Sequence, residues 1–313
     1  MPLDVRLFGK FSVQRGEREC QGFDGSKVQE LFCYLLMHRD RPHPREALAA
    51  LLWGDNPTQK SKKYLRQTLW QFQNALGSRS GEGALLVEPD WVRLDSRPEI
   101  RLDVAAFEHA LAETQGAACE ELSDGQVRLL REAVELYRGD LLEGWYQDWC
   151  LYERERLQNN YLAMLDKLMC CCEARRNYEA GLVYGALILR RDRASERAHR
   201  QVMRLHYLAG DRTAALRQYE RCVAALDEEL GVGPDRRTSL LCEQIRADRL
   251  DAAPPREAVA APEPNAPSLP EVLNRLKHLR ANLKEMQEQV QQNIRAVEWF
   301  LNNAPSSARA ADE

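Results

Sequence analysis

The stretch from about Thr58 to Leu76 reads as a helix and carries the charged feature that most needs a chemical explanation. Between Asn56 and Gly81 stand five basic residues, Lys60, Lys62, Lys63, Arg66 and Arg79, and no acid. With Leu65, Leu69, Phe72 and Leu76 as the buried stripe, the opposite face holds Lys60, Lys63, Gln67, Trp70, Gln71 and Asn74, and Arg66 lies on the flank. Lysines near the N-terminal end suit phosphates. Gln67, Gln71 and Asn74 carry the paired donor and acceptor that reads adenine in a major groove. Trp70 is either a contact to a thymine methyl group or an interface anchor. The bland alternative for the whole face is a solvated helix surface.

Other chemistries leave no comparable mark. Nothing matches GxxxxGK[ST], and no GxGxxG follows a strand; HExxH, GxSxG and a CxxC pair are also absent. Cys170, Cys171 and Cys172 are consecutive on a helical stretch and point about 100° apart, so they cannot converge on one tetrahedral metal. They read as reduced thiols packing as small apolar groups; the alternative is a redox or ligand sensor using these thiols or a helical groove. His199 and His206 are seven residues apart, too far along a helix axis for one ion, and are expected to pack or cap locally. The expectation is a protein without cofactor or metal, and not an enzyme.

The 313 residues suggest two domains with an appendage, and 44% hydrophobic with 29% charged residues is ordinary for a soluble globular protein. A formal charge of -4 excludes a strongly basic protein that coats nucleic acid, but not a local basic face. No window of eighteen apolar residues suggests a membrane span, and Met1 to Arg6 does not open a signal peptide. The nine cysteines lack the spacing of a secreted disulfide framework, so a cytoplasmic location is expected.

The elements that position the basic helix are legible from periodicity. Val5, Leu7, Phe11 and Val13 alternate as in a short β-hairpin or meander, with Gly9 breaking the alternation and Arg15-Gly16 supplying a turn. Val28, Leu31, Phe32, Leu35 and Leu36 then recur at helical spacing, with Ser26 placed to cap. Pro44 starts a second, short helix that carries Leu48, Leu51, Leu52 and Trp53 and stops at Gly54. After the basic helix, Ala84–Val87 and Trp91–Leu94 flank the turn residues Glu88-Pro89-Asp90. Strands, three helices and a terminal hairpin are the order of a winged helix, assigned to residues 1–98.

Residues 103–250 read as helical throughout. Asn177-Tyr178-Glu179-Ala180-Gly181-Leu182 recurs thirty-four residues later as Asp211-Arg212-Thr213-Ala214-Ala215-Leu216, the tetratricopeptide period. Small residues there suit the close approach of paired helices, and Gly210 suits the turn between them. Residues 251–268 form a Pro/Ala-rich linker able to span up to ~60 Å. Across 269–303 a heptad follows: Leu269, Leu276, Leu283, Val290 and Val297 in one register, and Val272, Leu279, Met286, Asn293 and Phe300 in the other. The seam predicts a coiled-coil homodimer, with folding back on the helical region as the alternative. Residues 304–313 read as a disordered tail. The fold class is thus mostly α: an α+β winged helix, a tetratricopeptide-like helical domain and a C-terminal coiled-coil helix.

Several segments resemble one family in its own order. They are Leu48-Ala49-Ala50-Leu51-Leu52-Trp53-Gly54, Tyr137-Arg138-Gly139-Asp140-Leu141-Leu142, Trp149 with Glu153-Arg154-Glu155-Arg156-Leu157, and Glu229-Leu230-Gly231-Val232-Gly233-Pro234. Residues 1 to about 250 resemble bacterial activators that join a response-regulator-type winged helix to a bacterial transcriptional activator domain, as in antibiotic-pathway regulators. The resemblance implies a cytoplasmic transcription factor that binds double-stranded promoter DNA and recruits RNA polymerase. It places the third helix in the major groove and, because Trp91-Val92-Arg93-Leu94 is similar to the family's Gly-Tyr-Arg-Leu, Arg93 in the minor groove. Two departures stand out: Trp70-Gln71-Phe72-Gln73 replaces the usual arginines, and the heptad helix lies outside the two-domain pattern. A protein-interaction scaffold that has lost DNA binding is the competing reading.

Overall fold

A computed structural model describes residues 2–16, 18–20, 25–75, 85–95 and 100–250. The linker, the heptad residues Leu276, Leu279, Leu283, Met286, Val290, Asn293, Val297 and Phe300, and the tail lie outside the described residues, as do Leu76, Gly77 and Arg79.

The N-terminal part holds two small sheets around three helices. Strand β1 (Leu3–Arg6) runs antiparallel to β2 (Ser12–Arg15), which pairs with β3 (Arg18–Glu19). Helices α1 (Ser26–Met37), α2 (Arg45–Trp53) and α3 (Thr58–Ala75) follow, with the two-residue strand β4 (His43–Pro44) between the first two. Strands β5 (Leu85–Val87) and β6 (Trp91–Leu94) form the expected hairpin, and β4 joins it in the order β4-β6-β5. The chain then returns in β7 (Ile100–Leu102), parallel to β1 with Val5 opposite Leu102. This is a winged helix with an extra strand closing its N-terminal sheet. Ser26 does not cap α1: it is the first helical residue, and Gly25 stands at the cap without a side-chain bond.

Seven helices make up the rest of the described residues: α4 (Asp103–Glu113), α5 (Asp124–Leu136), α6 (Asp148–Ala174), α7 (Tyr178–Arg191), α8 (Glu196–Leu208), α9 (Arg212–Leu230) and α10 (Arg236–Arg246). Helices α7 and α9 begin thirty-four residues apart, as the repeat predicts. A Cβ on Gly181 would come within 2.9 Å of Leu205, and one on Gly185 within 2.3 Å of Val202. Glycine at these positions is what lets α7 lie against its neighbours. The turn before α9 uses Gly210 at φ 85°, and its counterpart before α7 places Arg176 at φ 56°.

One hydrophobic core runs through the winged helix and on to α8, from Leu3 and Phe32 to Val202 and Leu205. The seam between the two parts is built at Leu7–Gly9. Phe8 packs on Phe107 and Tyr137, with ring centroids 5.1 and 4.8 Å apart. Leu142 donates its N–H to the Leu7 carbonyl at 2.8 Å, and Gly9 to Asp140 at 2.9 Å. The Asp103 carboxylate accepts from the N–H groups of Leu7 and Phe8 at 2.9 and 3.0 Å. Burial pushes its carboxyl above the usual range, although these bonds pull the other way. Across the same seam, Glu108 pairs with Arg39 of the winged helix at 2.7 Å and with Arg156 of α6 at 2.6 Å.

The cysteine run departs in part from expectation. Cys170 is disulfide-bonded to Cys119 across a separation of 51 residues, whereas Cys171 and Cys172 are free and buried. Burial raises both free thiols, which disfavours the reactive thiolate.

Candidate nucleic-acid interface

Helix α3 presents its basic face because its other face is held inside. Leu65, Leu69 and Phe72 are each no more than 3% exposed, and Phe72 meets the Phe32 ring of α1 at 4.9 Å. Burying each such side chain contributes about 2–3 kcal/mol. The buried Ser61 hydroxyl donates to the Trp53 carbonyl at 3.0 Å, tying the first turn of α3 to the end of α2. A rotation of α3 that hid its polar face would lose both anchors.

Outward lie Lys60, Lys63, Gln67, Trp70, Gln71 and Asn74, all exposed, and Arg66 is exposed on the flank. Trp70 is 64% exposed, unusual for so large an apolar side chain. Eighteen residues of α3 include no acid. In the run Trp70-Gln71-Phe72-Gln73, Phe72 belongs to the core and Gln73 is half-buried, so only positions 70 and 71 are fully outward.

Arg66 stands at a cleft between α3 and the wing, which Lys62, Arg45 and Trp91 also line. The wing turn closes by an N–H bond from Glu88 to the Trp91 carbonyl at 2.9 Å. Arg93 is exposed on β6, opposite Leu86, while its neighbour Val92 is fully buried. Strand alternation therefore puts Arg93 outside. Arg45 was missed in the sequence. Its guanidinium donates to the Glu88 carbonyl at 3.3 Å, and its backbone N–H to Asp90 at 2.8 Å, so it braces the wing turn. Forty-three residues separate Arg45 from Glu88, so no local pattern signals that contact.

Lys62 is placed differently from the other cations. Its ammonium lies 2.6 Å from the Glu46 carboxylate of α2, and the lysine holds that carboxyl below the usual range. If α3 engages DNA, Lys62→Ala is therefore expected to change the salt dependence of that binding less than Lys63→Ala. Anisotropy titrations of both variants at several salt concentrations would test this, and equal slopes would return Lys62 to the phosphate-contacting set.

Among the described residues no three His, Cys, Asp or Glu side chains converge to hold a metal ion. His199 bonds through Nε2 to the Arg193 carbonyl at 2.9 Å, a local packing role. No described helix is long and apolar enough to cross a membrane.

No curated protein sequence matches the chain. Among solved structures, Mycobacterium tuberculosis EmbR, determined in complex with a low-affinity phosphopeptide, is similar at 21% identity and a TM-score of 0.61. The match covers 80% of this chain and 66% of EmbR, so this chain spans just under two thirds of that protein. At that identity the likeness concerns the fold, a winged helix followed by a helical domain. The helical part is matched in sequence as well: α4 to α10 coincide with the segment that fits the bacterial transcriptional activator domain. Residues 102–246 match the family model of the bacterial transcriptional activator domain.

Proposed function

We propose that the protein is a cytoplasmic, DNA-binding transcriptional activator. Helix α3 enters the major groove of promoter DNA, and Arg93 of the wing reaches the neighbouring minor groove. The observation that carries this reading is the outward face of α3, where Lys60, Lys63 and Arg66 border Gln67, Gln71 and Asn74 with no carboxylate on the helix. Cations at the rim position the helix on phosphates, and amides at its centre read base edges.

The helical domain presents a surface to RNA polymerase. Tyr146, just before α6, is 78% exposed, and in its first turns Tyr152 is 69% and Leu151 42% exposed. Exposed aromatic and aliphatic groups of this kind suit a protein partner. The heptad positions from Leu276 to Phe300 supply self-association into a homodimer.

Selection from a random duplex library by the full-length protein tests the reading. One enriched motif is expected, in two copies at fixed spacing if the protein binds as a dimer. No enrichment at low salt from folded protein would replace this reading with the interaction scaffold.

A further inference from the structure

Helices α7, α8 and α9 enclose a groove of about 470 Å³ lined by twelve residues, none of them a carboxylate. The chain as a whole carries more acids than bases, 48 against 44, so an acid-free groove with three arginines is a local departure. Its apolar wall includes Leu182, Leu189 and Val202.

The floor is a buried polar chain. His199 and Gln218 are 4% and 3% exposed. The His199 Nε2 faces the Arg193 carbonyl at 2.9 Å, so that nitrogen carries the proton and donates. Its Nδ1 then accepts from the Gln218 amide nitrogen at 2.7 Å. This turns the Gln218 oxygen toward Arg221, whose guanidinium donates to it at 3.3 Å. Arg221 is thereby held beside the groove by a neutral acceptor and keeps its charge uncompensated. Arg193 is committed elsewhere, to Glu228 at 3.0 Å and Glu229 at 3.7 Å. No described carboxylate pairs with Arg190 or Arg221 within ion-pair distance.

We propose that this groove binds a small amphipathic organic anion, a carboxylate of medium chain length. Its carboxylate sits between Arg190 and Arg221, and its apolar chain lies along Leu182, Leu189 and Val202. The volume falls in the range of small-molecule sites, about 300–1,000 Å³, which are mostly apolar with a few fixed polar groups. The two unpaired guanidiniums set the sign of the ligand's charge. This inference is independent of whether α3 binds DNA.

Calorimetric titration of the full-length protein with octanoate, octan-1-ol and octylamine tests it. Octanoate is expected to bind, and the alcohol and amine of equal chain length at least about tenfold more weakly. The double variant R190A/R221A, checked for native circular dichroism, is expected to lose about tenfold or more in octanoate affinity. Ala224→Trp fills the groove without altering its charges and is expected to remove binding.

Equal affinity for octanoate and octan-1-ol would reduce the site to non-specific apolar adsorption and overturn the proposal. So would octanoate binding that survives Ala224→Trp, or no heat at millimolar octanoate. Capture of an acidic peptide by a groove that ignores octanoate would also overturn it and reassign the groove to a protein partner. The comparison of the three ligands on the unmodified protein stands even if a variant fails to fold.

Discussion

Arg154→Ala is expected to lower the unfolding free energy by about 3 kcal/mol, because one guanidinium satisfies three backbone carbonyls at once. Arg154 donates through Nε to Leu141 and through one terminal nitrogen to Leu142 and Trp145, each at 2.9 Å. The turn it holds contains Leu142 at φ 48°, a left-handed conformation that costs a leucine about 1–2 kcal/mol. Leu142 is also fully buried and bonded to Leu7, so releasing the turn loosens the seam with the winged helix. For a unit of this size the loss corresponds to a Tm lower by about 6–12 °C. Arg154→Lys should recover only part of it, since an ammonium cannot reproduce the planar fork. Urea unfolding of both variants is the measurement, and a loss below about 0.5 kcal/mol for alanine would remove Arg154 from this role.

The second large effect concerns the DNA reading. In the double variant K63A/R66A, the slope of log affinity against log salt is expected to flatten by roughly 1.8 units, about 0.9 for each phosphate contact. The loss should be uniform across sequences, because phosphates carry no base identity. Gln67→Ala should instead cost about 1–3 kcal/mol at its own base step and relax preference there. Anisotropy titrations with the selected site and an unrelated duplex separate the two patterns. A double variant with the original slope would show that neither cation touches phosphate.

Much of this arrangement was legible because it is local. The 3.6-residue period of Leu65, Leu69 and Phe72 is enough to say which face of α3 is buried, and so which residues stand outside. The hairpin at Glu88-Pro89-Asp90 and the thirty-four-residue repeat are likewise written in short stretches. What escaped was long-range. Strand β7 has three residues and is defined by a partner almost a hundred positions away, which no periodicity reports. The Lys62–Glu46 pair arises from how α2 and α3 pack, and the Cys119–Cys170 bond from how the loop before α5 meets α6. The motif Tyr137 to Leu142 was recognisable by resemblance, but its physical role emerges only in three dimensions: Asp140, Leu141 and Leu142 are the edge against which Leu7–Gly9 closes.

Strand β7 ends at Leu102 and α4 begins at Asp103, with no residue between them. Consecutive residues joined on a common core make a stiff bracket rather than a tether. On the proposed reading, the position of α3 along the duplex then dictates the azimuth at which the helical domain projects from it. Each base pair added between operator and promoter would swing that domain about one tenth of a turn around the DNA axis. Promoter spacing would act as a rotational dial, with output recurring at each full turn and failing at the half turns between.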